Sequence, residues 1–168
     1  MRLHRVLLGC GLLLSTVAMG QNGPKVVKGK LELKQLSNDS AFAWFYTGVN
    51  KYDVNANMVN YIKTNKDKIK LVALVNTADE ASRKLLPAFY KVMILASVPE
   101  ENIQMFGVDA SGDTGNPAAD GFKVKKYPTI LVLQDGKEEG RISGGAKESV
   151  EQDIAQILMK MNAKKKSE

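Results

Sequence analysis

Residues 69–75, Ile-Lys-Leu-Val-Ala-Leu-Val, form an almost unbroken apolar run. A strand of this composition needs apolar cover on both faces, which only a layered fold provides. Residues 103–108 and 129–133 repeat the pattern in weaker form, and helical spacing fills the chain between the runs. From residue 79 to about 98 the apolar positions Leu85, Leu86, Phe89, Val92, Met93 and Ala96 recur at helical intervals. Strands alternating with helices predict an α/β fold with a central sheet covered by helices on both faces.

The remaining elements follow from local signals. Residues 26–36 alternate in part, with Leu31 and Leu33 against Lys30, Glu32 and Lys34, and predict a first strand. Residues 41–46 are apolar and aromatic and predict a short helix with Trp44 and Phe45 turned inward. Asp53 is the expected N-cap of the next helix, whose apolar side is Val54, Met58, Tyr61 and Ile62. Pro87 falls inside the long helix, where the missing N–H and the ring bulk produce a kink. Residues 117–122 predict a short helix, and Asp135-Gly136 a tight hairpin between residues 129–133 and 138–142. Val150, Ile154, Ile157, Leu158 and Met161 mark one face of a last helix. The sheet is therefore expected to be mixed, parallel at its centre and finished by an antiparallel hairpin and a helix.

The amino terminus has a different logic. Arg2, His4 and Arg5 precede an apolar stretch that ends at Ala18-Met19-Gly20, the layout of a secretory signal peptide cleaved after residue 20. The stretch is too short for a stable membrane span, and lipidation at Cys10 is the alternative processing. Cys10 and His4 are the only cysteine and histidine, so the exported chain holds neither. Its compartment is expected to be the periplasm or the outside of a bacterial cell. The domains expected are a signal peptide (1–20), an N-terminal extension (21–50), one folded domain (51–163) and a basic tail (164–168).

Composition narrows the chemistry. The net charge of +6 falls to +4 once the two arginines of residues 1–20 are removed, and no basic stripe interleaves with aromatics. Nucleic acid is therefore not an expected partner. Zinc and other soft-ligand sites lack their Cys and His ligands. Asp109-Ala110-Ser111-Gly112-Asp113 begins like a calcium loop, but Thr114 stands where such a loop needs glycine and Asp120 where it needs glutamate. No metal or cofactor is expected.

One set of residues carries a family resemblance. Residues 126–133 (Lys-Tyr-Pro-Thr-Ile-Leu-Val-Leu), followed by Asp135-Gly136-Lys137 and Gly140-Arg141-Ile142, resemble the cis-proline strand, hairpin and return strand of the thioredoxin family. Pro87 matches the family's kink proline, and the resemblance covers roughly residues 69–161. It implies a thioredoxin-like fold and a cis bond before Pro128. It also places the family's two catalytic cysteines on Asp79 and Ser82, its preceding tryptophan on Ala78 and its buried acid on Ala73.

The chemical consequence is direct. Thiol–disulfide exchange needs a thiolate, and Asp79 and Ser82 supply none. A serine nucleophile would need an activating base, and no histidine remains. Asp79 reads as a helix N-cap with Glu80 in the first turn. What the resemblance leaves is the peptide groove beside the cis-proline, where a polypeptide pairs with the main chain as an added strand. Ala78, Asp79, Glu80, Tyr127 and Pro128 are its expected surface, with Gly144 and Gly145 nearby. The expected function is an exported, redox-inactive polypeptide-binding or accessory module. The alternatives are a non-thiol enzyme or cation site built on Asp79 and Glu80, and a structural subunit.

Overall fold

The computed structural model describes residues 23–166. The expected signal peptide and Cys10 lie outside the described residues. Strand β1 (Gly29–Lys30) leads into helices α1 (Leu33–Asn38), α2 (Ala43–Lys51) and α3 (Ala56–Asn65). Strand β2 (Lys70–Val75), helix α4 (Glu80–Leu95) and strand β3 (Ile103–Gly107) follow. Strands β4 (Thr129–Gln134) and β5 (Lys137–Ser143) then form a hairpin, and α5 (Val150–Lys165) ends the described chain.

The sheet has five strands in the order β1-β3-β2-β4-β5. It is mixed: β2 and β3 are parallel, and every other pair is antiparallel. Residues of β2 divide by the two-residue period of a strand. Leu71, Ala73 and Val75 join the larger apolar cluster, and Val72 and Leu74 the smaller. Buried residues of all five α-helices, including Leu36, Phe45, Ile62, Phe89 and Ile154, belong to the larger cluster. The smaller contains no α-helical residue. Helices therefore cover one face only, which corrects the expectation of helices on both. The loop from Asp109 to Tyr127 covers the other face through Ala119, Phe122, Val124 and Tyr127. Within that loop the expected helix at 117–122 reduces to one 3-10 turn, Pro117–Ala119, capped by the Asn116 side chain.

The N-terminal third departs most from its pattern. The expected strand at 26–36 pairs only at Gly29 and Lys30, and Leu33 opens a helix instead. The Gln35 side-chain oxygen accepts the Glu32 N–H at 2.9 Å, a local bond that favours the helical turn over continued pairing. Asp53 is not the N-cap of α3. Asn55 is, its side chain accepting from the N–H groups of Asn57 and Met58, because residues 52–55 are drawn out to meet Glu151. Leu31, Leu36, Phe42 and Phe45 are buried in the same cluster as residues of α4 and α5, so the N-terminal extension contributes to the core. At the other end α5 runs into the lysines expected as a tail, where positive charge suits a helix C-terminus.

Other expectations hold locally. Pro87 lies inside α4, and Asp79 caps it by accepting the Ser82 N–H. Asp135 and Gly136 both have positive φ, 51° and 78°, as a two-residue hairpin turn requires. The Tyr127–Pro128 bond is cis.

Candidate functional site

Strand register places the expected site residues at one end of the sheet. Leu74 pairs with Thr129, so β2 leaves the sheet toward Ala78 and Asp79 where Tyr127 and Pro128 enter β4. On the β2 side the residues hold one another in a closed network. Asn76 Oδ1 accepts the Ala78 N–H at 2.9 Å, and Ser82 Oγ accepts the Asn76 N–H at 3.1 Å. Asp79 Oδ2 accepts the Ser82 N–H at 2.9 Å. Ser82 is 1 % exposed, which leaves its hydroxyl no access to a substrate. Glu80 is exposed and paired with Lys84 at 2.7 Å, and that ammonium holds its carboxyl below the ordinary range. Ala73, where the resemblance would put a buried acid, is fully buried.

The cis-proline side has a different character. Pro128 is buried, and its carbonyl accepts the Gly144 N–H at 2.7 Å. The Lys126 carbonyl accepts the Thr129 hydroxyl at 2.6 Å. Tyr127 turns its ring away, and its hydroxyl donates to the Gly112 carbonyl at 3.0 Å on the loop-covered face. Burial is the main cause that raises its phenol pKa, with the Asp109 charge adding to it. Between these fixed neighbours, the main-chain N–H and C=O of Tyr127 make no hydrogen bond among the described residues. No hydrogen bond joins Asp79 or Glu80 to Tyr127 or Pro128.

The N-terminal segment reaches the edge of this region. The buried Thr77 hydroxyl donates to the Lys25 carbonyl at 2.7 Å and accepts the Val27 N–H at 2.9 Å. Arg83 Nε donates to the Thr77 carbonyl at 3.0 Å, and its guanidinium lies over the Trp44 ring. Trp44 is half-buried between Phe42 and Phe45, and its indole Nε1 is buried with no hydrogen-bond partner among the described residues. Lys25 and Val27 are thus bonded to Thr77, and no hydrogen bond joins residues 25–27 to the Tyr127 main chain.

Sequence patterns did not reveal a second concavity. A groove of about 950 Å³ opens where β1 leaves the edge of β3, lined in part by Leu33, Tyr90, Met93, Ile94, Val98 and Met105. None of the expected site residues lines it. Its one outward signal is Ile94, 54 % exposed on an otherwise regular helical face.

The aspartate loop serves structure. Asp109 accepts from the N–H groups of Ser111 and Asp113, and from Lys28 at 3.0 Å. The Ser111 hydroxyl, followed by Lys28, holds the Asp109 carboxyl far below the ordinary range. Among the described residues no group of three or more His, Cys, Asp or Glu could hold a metal ion, and no helix is long and apolar enough to cross a membrane. No protein-family model matches the chain, and comparison with curated proteins returns no match.

Proposed function

We propose that the chain is an exported, redox-inactive, thioredoxin-like module that binds an extended polypeptide beside the cis-proline. The fold reading is supported by the strand order, the parallel β2-α4-β3 unit, Pro87 within α4 and the closing hairpin and helix. The functional reading is carried by one observation, the unpaired N–H and C=O of Tyr127 next to the end of β4. Main-chain groups left open at a sheet margin are the pairing site that strand addition uses.

Asp79 and Ser82 support this reading by what they are occupied with. Each is committed to the start of α4 or the turn before it, so neither stands ready as a nucleophile or base. The Tyr127 ring braces the 109–113 loop, which makes the main chain, not the side chain, the binding element.

The test uses linear peptides selected from a displayed library against residues 21–168. Amide exchange at Tyr127 is expected to slow when a selected peptide binds. N-methylation of the peptide's pairing amides is expected to abolish binding, because it removes the donors. Binders that leave Tyr127 exchange unchanged and tolerate N-methylation would sink the proposal.

A further inference from the structure

The main-chain opening at Tyr127 has a charged setting. Lys123, Lys125 and Lys126 lead into it, and Lys147 lies on the loop that follows β5. All four are exposed, and none of their ammonium groups makes an ion pair among the described residues. Two tertiary contacts bear on the segment before Tyr127, one at Lys123 and one at Lys126. Arg141 Nη1 donates to the Lys123 carbonyl at 2.9 Å, while Glu138 neutralises the Arg141 charge. Gly144 N–H binds the Pro128 carbonyl, and a Cβ on Gly144 would lie 3.7 Å from Lys126 Cδ.

Of the acids nearby, Glu80 is neutralised by Lys84, whereas Asp79, Glu148 and Asp153 keep their charge, which at Asp79 and Asp153 the starts of α4 and α5 partly offset. Asp79 caps α4, Glu80 pairs with Lys84, and Glu148 accepts from Gln152 Nε2 at 3.2 Å. Asp153 accepts the N–H groups of Lys147 and Glu148, which fixes the loop bearing Lys147. Asp120 is the remaining acid on the lysine-bearing segment.

We infer that the bound segment is an acidic extended peptide, with Asp or Glu on both sides of the residue that pairs with Tyr127. This inference rests on the strand-addition reading above and adds the partner's chemistry to it. Open main-chain groups fix the peptide's backbone, and complementary charge selects among sequences that all share that backbone. A basic segment would bring like charges together at the same pairing geometry.

Two blocked peptides test this with residues 21–168. Each has a valine-threonine-valine centre, flanked in one by three glutamates and in the other by three lysines. The glutamate peptide is expected to bind about tenfold more tightly at low salt, with the preference shrinking as ionic strength rises. A Lys123→Gln, Lys125→Gln, Lys126→Gln variant is expected to lose the preference while circular dichroism stays unchanged. Equal affinity for both peptides, with sensitivity to N-methylation retained, overturns the charge inference and leaves strand addition standing. Binding of the glutamate peptide that ignores N-methylation, matched by polyuridylate, overturns both in favour of a general polyanion surface.

Discussion

Tyr52 and Glu151, 99 residues apart, are joined by a 2.8 Å hydrogen bond from the phenol to a carboxylate that is 1 % exposed. The second carboxylate oxygen accepts the Asn55 N–H, also at 2.8 Å. One buried acid in the first turn of α5 thus ties the segment between α2 and α3 to the last helix, at a helix end that favours negative charge.

Glu151→Ala should therefore cost about 2–3 kcal/mol, because it leaves the Asn55 N–H and the Tyr52 hydroxyl without their acceptor. Tyr52→Phe should cost less, about 1 kcal/mol. Urea denaturation of both single variants and the double variant measures the coupling. Burial, followed by the Glu151 bond, pushes the Tyr52 phenol up to about 12. Its unfolded value is near 10, so the unfolded chain releases this proton first. Stability should fall between about pH 10 and pH 12, and Tyr52→Phe should flatten that fall.

Gly48 of α2 packs on the kink proline of α4. A Cβ there would lie 2.7 Å from both Cβ and Cγ of Pro87, and the ring is buried and rigid. Gly48→Ala should destabilise by about 1–3 kcal/mol through overpacking, despite alanine's better helix propensity. Thermal denaturation decides it, and a variant as stable as the parent would show that α2 shifts freely along α4.

Asp79 is predicted to act as a cap. Asp79→Ala should cost about 1 kcal/mol, while Asp79→Asn or Asp79→Ser should keep most of that stability. Denaturant midpoints give the comparison. Peptide binding should be unaffected by Asp79→Asn, and a large loss of binding would assign the carboxylate a functional role.

Lys28 bridges Asp109 and Asp113, and hydrogen bonds from its ammonium and from Ser111 and Gly115 hold both carboxyls below their usual range. Depressed carboxyls contribute stability that is present above their unfolded pKa near 4 and is lost as pH falls through the folded values. Acid titration should therefore loosen residues 109–113 below about pH 4, and Lys28→Met should make that loss begin at higher pH. Amide exchange at Gly115 and Asp113 reports it. Unchanged exchange in the variant would exclude Lys28 as the cause.

How much of this was legible in sequence depends on the range over which each feature is encoded. The two-faced burial of β2, the Asp79 cap, Pro87 within α4 and the Asp135-Gly136 turn all follow from neighbours within a few residues. The extended reading of 26–36 failed because a helical capping bond three residues long competes with alternation over the same span. Asp53 was displaced as a cap by Glu151, a residue no local window contains.

The same division applies to the site. Sequence alone settled that residues 21–168 hold no thiol, and the family resemblance grouped Ala78, Asp79, Glu80, Tyr127 and Pro128 as an expected surface. Tertiary structure decided that the Tyr127 ring turns to Gly112, that its main chain is left unpaired, and that helices cover only one face of the sheet. Local periodicity and capping are short-range chemistry written in adjacent residues. Which face a helix covers and which carboxylate is buried are decided when segments up to a hundred residues apart compete for the same core.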